Sequence, residues 1–304
     1  MTDRVAPEAV APELVAPEPV AAEPVAAEPV AIVTGASSGI GESTVRRLAG
    51  KGYAVYGAAR RVDRMQPLAD AGVHVRALDV TDDGSMRALV DEIVAEHGRI
   101  DVLVNNAGYG SYGALEDVPI AEARRQFDVN VFGLARMTQL VLPHMRARRD
   151  GYIVNVSSIG GKIWEPLGSW YHATKFAVEG LSDSLRAEVA GFGVKVIVIE
   201  PGAIHTEWGG IAADNVEANS AGTSYQELAK HVGSTLRAAD NLPLSSDPDV
   251  VARTIVKAVS RSRPRTRYPT GGGARSILFA KRLMPDRVFD HTIRTAYRVT
   301  SKLS

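Results

Sequence analysis

Val30-Ala31-Ile32-Val33-Thr34-Gly35-Ala36-Ser37-Ser38-Gly39-Ile40-Gly41 is the stretch on which the fold turns. It begins as a short unbroken apolar run closed by threonine, the pattern of a strand buried on both faces. A glycine-rich turn follows, and then a helical pattern (Val45, Leu48, Ala49) that stops at Gly50-Lys51-Gly52. Strand, glycine turn and helix form the first half of a dinucleotide-binding βαβ unit. Glycine lets backbone approach phosphate, and a helix N-terminus offers free N–H groups and the positive end of its dipole. The spacing reads G-x-x-x-G-x-G, so the commoner G-x-G-x-x-G is not matched literally.

Downstream the alternation continues. Further strands are expected at Tyr53–Ala58, Val73–Leu78, Ile100–Val104, Gly151–Val156, Val194–Ile199 and Thr266–Tyr268. Between them lie helical patterns at Asp82–His97, Pro119–Arg148, Ser169–Gly191, Tyr225–Ala239 and Asp247–Arg261. Strands alternating with helices pair in parallel through right-handed crossovers. The expected fold class is therefore α/β: a single doubly wound, Rossmann-like domain of about seven strands with helices on both faces.

Upstream, residues 5–30 place a valine at every fifth position, with Ala, Pro and Glu between. That period is neither helical nor that of a strand, and the prolines remove backbone donors. Residues 1–29 are expected to be a disordered acidic tail, with docking to a partner as a secondary reading. The catalytic domain is expected over residues 30–270. Within it residues 207–246, rich in Gly, Ala, Ser and Asn, are the expected mobile lid over the substrate. Residues 271–304 form a basic C-terminal extension, and Thr270-Gly271-Gly272-Gly273 before it reads as a plain turn.

The 304 residues carry 35 basic and 35 acidic side chains, which leaves no net footprint for nucleic acid. The absence of cysteine excludes disulfides and thiolate chemistry, and no metal site is expected. Neither a signal peptide nor a run of about 20 apolar residues is visible, so the expected location is the cytoplasm.

Three positions carry chemistry. Tyr171 and Lys175 are one helical turn apart, and Ser158 lies thirteen residues before the tyrosine. An ammonium beside a phenol favours the phenolate, which would bring Tyr171 toward neutral pH as a proton donor and acceptor. At the end of the second strand stand Arg60 and Arg61, where an acidic residue would bond a ribose 2′-hydroxyl; arginine instead accommodates a 2′-phosphate. The expected cofactor is NADP(H) rather than NAD(H).

Taken in order, T-G-A-S-S-G-I-G (34–41), L-D-V (78–80), N-N-A-G (105–108) and N-V-F-G (130–133) are followed by three more motifs. These are V-S-S (156–158), Y-H-A-T-K (171–175) and P-G-A-I-H-T (201–206). Over residues 30–210 the chain resembles the short-chain dehydrogenase/reductase family. The resemblance implies that Gly35, Ser37, Ser38, Gly39, Ile40 and Gly41 lie along the cofactor phosphates. Asp79 and Val80 would meet the adenine, and Asn106, Ala107 and Gly108 the adenosine side. Pro201, Gly202, Ile204 and Thr206 would hold the nicotinamide end. Catalysis would fall to Asn130, Ser158, Tyr171 and Lys175.

In that reading hydride passes between the cofactor and a carbonyl or secondary alcohol. Ser158 and Tyr171 stabilise charge on the substrate oxygen, and Tyr171 gives up its proton. Lys175 lowers the tyrosine pKa and binds the nicotinamide ribose, while Asn130 supports a proton-relay water. Two alternatives in other classes are an epimerase or dehydratase using the same pair, and a non-catalytic NADP(H)-sensing protein. The short C-terminal part speaks against the first, and the complete set of catalytic residues against the second.

The substrate is expected to be a small apolar or ring-shaped ketone or alcohol. Pocket candidates are Tyr109, Ile159, Ile163, Trp164, Trp170, Ile204 and Trp208, with Trp164 and Trp208 foremost. His172 and His205 are expected to support the site without carrying protons. A homodimer or homotetramer is expected, with no transmembrane segment. The basic, apolar-periodic tail either packs on the domain near the substrate mouth or touches a membrane surface.

Overall fold

A computed structural model describes residues 28–239, 245–297 and 299. The five-residue repeat lies largely outside the described residues. The predicted alternation is present, beginning with β1 (Val30–Thr34), α1 (Gly39–Ala49), β2 (Ala54–Ala59), α2 (Gln66–Ala69), β3 (His74–Ala77) and α3 (Asp83–His97). Next come β4 (Val102–Asn105), α4 (Ile120–Phe127), α5 (Leu134–Arg148), β5 (Gly151–Val156), α6 (Ser169–Val189) and β6 (Val194–Pro201). The chain continues through α7 (Glu207–Asn219), α8 (Gln226–Ala239), α9 (Pro248–Val259), β7 (Arg267–Thr270), α10 (Ala274–Leu283) and α11 (Asp286–Ala296).

All seven strands pair in parallel in the order β3-β2-β1-β4-β5-β6-β7. Alternation along β1 explains why its apolar run is unbroken. Ala31 and Val33 enter the core between the sheet and α1/α9, whereas Val30 and Ile32 enter the core beneath α3 and α5. All four are fully buried, so truncating Ile32 to alanine would cost about 2–5 kcal/mol. The direction of winding reverses between β1 and β4. A crevice opens there at the carboxyl ends of the strands.

Three elements differ from the sequence reading. The long helix expected over 119–148 runs through one wide π turn, Asp128–Gly133, between α4 and α5. The last strand begins one residue and ends two residues later than expected and contains Pro269, which an edge strand tolerates because its outer N–H is not needed. The expected lid contains a helix that its glycines concealed. In α7, buried Gly209, Ala212 and Ala213 let α8 approach closely, and a Cβ on Gly233 of α8 would stand 2.5 Å from the Glu217 carboxylate. Small residues here permit packing rather than break a helix. Among the described residues, no helix is long and apolar enough to cross a membrane.

Candidate active site

The crevice is about 1040 Å³ and holds most of the residues singled out from the sequence. One end is built by the turn after β1. Gly35 and Gly39 adopt φ of +69° and +56°, a conformation open to glycine at little cost. Asn106 locks this turn from the next strand: its side-chain amide donates to the carbonyls of Thr34 (3.0 Å) and Gly35 (3.2 Å). Thr34 in turn accepts the N–H groups of Asn106 and Ala107 through its hydroxyl. Gly41 does not line the crevice as expected. It is buried under the turn, where a Cβ would lie 2.2 Å from the Gly35 carbonyl oxygen, so its role is close packing.

At the mouth of this end Arg61 donates to Ser37 Oγ (3.3 Å) and Ser38 Oγ (3.2 Å). Arg60 faces Asp79, whose carboxyl lies below its usual range chiefly because Thr81 donates to it and also because of Arg60. The donor set of two hydroxyls and two guanidiniums suits a phosphate monoester on a ribose, so the residues present fit NADP(H). Sequence reasoning missed Glu207 at the start of α7, which bridges Arg61 (3.3 Å) and Arg64 (2.7 Å). Its signal was an acid in the first turn of a helix, invisible while α7 itself was unrecognised.

The other end holds Ser158, Tyr171 and Lys175, which α6 and the end of β5 bring together. Ser158 Oγ accepts from Gly160 N–H at 3.0 Å and also bonds the Tyr171 phenol. Lys175 Nζ donates to the Val156 carbonyl at 3.0 Å and stands 5.9 Å from the Tyr171 ring centre. This corrects the expected electrostatics. Burial pushes the Tyr171 phenol well up; the Ser158 bond pulls it down, and Glu165 adds to the rise. Lys175 is itself lowered to about 8 by burial, against a smaller opposing pull from Glu179. With the ammonium turned toward a carbonyl, desolvation outweighs the pairwise attraction that the helical spacing implied.

Asn130 is buried below the crevice, in the π turn. Its side chain bonds to groups outside its own helix. The amide donates to the Tyr109 carbonyl (2.9 Å) and Thr174 Oγ1 (3.1 Å), and accepts from Tyr109 N–H (3.0 Å). It thereby ties the loop after β4 to the turn of α6 between Tyr171 and Lys175. Deeper still, Asn105 and Asn155 bond side chain to side chain at 3.0 Å across β4 and β5, and Asn155 reaches Ser182. Nothing in the sequence pattern marked this buried polar ladder, because isolated Asn residues in a strand read as interruptions.

Val80, Gly108, Pro201, Gly202, Ile204 and Thr206 line the crevice, as do Tyr109, Ile159, Ile163 and Trp208 among the pocket candidates. Thr206 also caps α7 by accepting from Trp208 N–H at 3.3 Å. Trp208 leans on Tyr171 with ring centres 5.0 Å apart, seated over Gly110, whose Cβ would lie 2.5 Å from it. Trp164 is a correction: it is turned away from the crevice, donates to Asp290 (3.1 Å) and packs edge-on against Phe289. Trp170 likewise lies elsewhere, against Phe127. His172 has both ring nitrogens engaged, with Glu165 N–H at 3.0 Å and the Gly160 carbonyl at 2.9 Å, so it braces the 160–165 loop. His205 is exposed. Tyr112 and Tyr297 complete the wall and were not foreseen.

The family model for short chain dehydrogenases matches residues 29–215. The chain is 36% identical over 272 residues to a 3-ketodihydrosphingosine reductase of Bacteroides thetaiotaomicron, covering 88% of this chain and 97% of that protein. It is 33% identical over 273 residues to an NADPH-dependent 3-dehydrocapnine reductase of Ornithobacterium rhinotracheale, covering 86% and 94%. Among solved structures, a short-chain dehydrogenase from Streptomyces avermitilis superposes with a TM-score of 0.73 at 35% identity, covering 90% of this chain and 98% of that one. Strand order, crevice and sequence agree. The chain belongs to the short-chain dehydrogenase/reductase family and is an NAD(P)-dependent oxidoreductase.

Proposed function

We propose that the protein reduces a ketone on an elongated, largely apolar substrate, with NADPH preferred over NADH. The observation that carries this is one continuous crevice lined by the arginines, by Ser158 and Tyr171, and by a set of apolar side chains. Those side chains are Ile163, Trp208, Ile211, Leu236 and Ile277. Contributions from α7, α8 and α10 to this apolar wall support a chain over the ring-shaped alternative. Two relatives are named as reductases of a 3-keto and a 3-dehydro compound, one of them NADPH-dependent, which supports the same reading.

The bound nicotinamide would supply the hydride. Ser158 and Tyr171 hydroxyls would orient the carbonyl and stabilise charge as it grows on oxygen. Tyr171 would then donate its proton, Lys175 would stabilise the phenolate left behind, and Asn130 would keep the water path to Lys175 in place. Gly35, Ser37, Ser38, Gly39 and Ile40 would hold the phosphates, with Arg60 and Arg61 on the 2′-phosphate.

The test is NADPH absorbance during turnover of a carbonyl panel that varies chain length. A lower KM for NADPH than for NADH is expected, reversed by Arg60→Asp; equal values would sink the cofactor assignment. Residues 207–239 would form the lid. A homo-oligomer is supported by exposed Ile120 and Phe132 around the groove beside Trp170, and a monomer in sedimentation velocity would overturn it. Peripheral contact with an anionic membrane is supported by the outer side of α10 and α11. There Phe279, Leu283 and Val288 are exposed among Arg275, Arg282, Arg287 and Arg294.

A further inference from the structure

One turn of α6 beyond Lys175 lies a group of buried charges that the proposed mechanism does not use. Glu179 stands four residues after the lysine, on the same helix face, and is only 3% exposed. Its Oε2 accepts from Arg267 Nε of β7 at 2.9 Å and lies 3.0 Å from Lys162 Nζ, on the turn after β5. Gly161 makes room for it: a Cβ there would stand 2.9 Å from Glu179 Cγ and 3.0 Å from the Lys175 carbonyl oxygen. The Arg267 guanidinium also bonds Asp183 of α6 at 2.7 Å, which Arg186 shares, and approaches Glu200 of β6 at 3.5 Å. Glu200 is buried too and directly precedes Pro201 and Gly202 of the crevice wall.

An ionised carboxylate is costly to bury unless cations are held beside it, and here two are. A purely structural knot would account for those pairs but not for their place one turn from a lysine that is itself desolvated. Burial draws Lys175 down, and Glu179 is the charge that opposes this. We infer from this placement that Glu179 is a positioning residue, a buried counter-charge that keeps Lys175 an ammonium while the site works. It lies outside the crevice lining and acts through Lys175, with Lys162 and Arg267 moderating its charge. Glu200 is pushed up to about 7, chiefly by burial and then by Glu179, so it is largely ionised before Lys175 gives up its proton. The inference rests on the reading of Lys175 as the group whose positive charge reduction requires.

The experiment titrates Lys175 directly, by NMR of the full chain isotope-labelled at the lysine Cε, its resonance identified by its loss in Lys175→Arg. Glu179→Gln is expected to move the Lys175 midpoint down from about 8 by roughly one pH unit. Glu179→Asp keeps the charge and should restore most of that shift. With NADPH and a ketone that the native protein turns over, the descending limb of kcat should move down by the same amount in Glu179→Gln. A lower plateau with midpoint and limb unmoved would mark Glu179 as structural only and overturn the inference. Should the glutamine variant fail to fold, Lys162→Met decides, because this lysine is part-exposed and its loss leaves Glu179 less neutralised. The Lys175 midpoint is then expected to rise, and a fall or no change would overturn the inference. If the midpoint falls in Glu179→Gln while the limb stays in place, the counter-charge stands and the catalytic reading of Lys175 fails.

Discussion

Lys175 lies one helical turn beyond Tyr171, yet its ammonium is directed at the Val156 carbonyl and its pKa is drawn down to about 8 by burial. Tyr171 moves the other way, so its phenol stays protonated across the physiological range. The sign for activity follows. On the proposed mechanism reduction needs a protonated Tyr171 and a cationic Lys175, so kcat for reduction is expected to fall as pH rises through about 8. The descending limb belongs to the lysine, since the tyrosine titrates far above it. A pH–rate profile checks this; a flat profile between pH 7 and 9 would overturn it, and Lys175→Arg should carry the limb beyond the measurable range. Tyr171→Phe removes the donor but little surface, so turnover is expected to fall by roughly a thousandfold while NADPH binding, read by fluorescence titration, stays nearly intact. Substantial residual turnover in that variant would refute the assigned acid.

Helix α7 connects two parts of the crevice that the sequence treats separately. Its first residue, Glu207, is bound by Arg61 and Arg64 beside β2, and its second, Trp208, covers Tyr171. Arg61, Arg64 and the crevice wall at Trp208 are therefore tied to the same helix. Glu207 also spends negative charge on guanidiniums that a 2′-phosphate would use. Glu207→Gln is expected to lower KM for NADPH by up to about fivefold, the scale of an exposed ion pair, with little change for NADH. Steady-state KM values for both cofactors decide it, and an equal change for both would remove Glu207 from cofactor choice. The C-terminal helices have a comparable double role. Phe289 of α11 is buried against Trp164 while Lys281 of α10 stands 4.4 Å from the same indole, so the tail braces the substrate loop. The packing reading of the tail describes its inner side, and its outer side remains exposed.

For the molecule as a whole, charge is balanced in number but not in place: residues 261–304 hold eleven Lys/Arg against two Asp. With Phe279 and Leu283 about two-thirds exposed in the same region, co-sedimentation with anionic vesicles at low salt is expected. Each arginine near such a surface adds roughly 1 kcal/mol, so Arg282→Ser with Arg287→Ser should weaken binding by roughly an order of magnitude or more. Failure to sediment with anionic vesicles removes the membrane contact and leaves the crevice chemistry untouched. The sheet, its parallel pairing and the positions of Ser158, Tyr171, Lys175 and the glycine turn were legible in the amino-acid sequence. Strand and helix periods are local, and motif order along the chain is preserved by the crossover topology. The fate of each side chain was another matter. Trp164 and Trp208 look alike in the sequence, but only Trp208 faces the crevice, because Gly110 makes room for one and Phe289 captures the other. Lys175 turned to a carbonyl and the Asn105–Asn155 ladder likewise depend on residues distant in sequence. Local pattern determined the backbone; burial and partners, which exist only after folding, decided charge, orientation and the shape of the substrate wall.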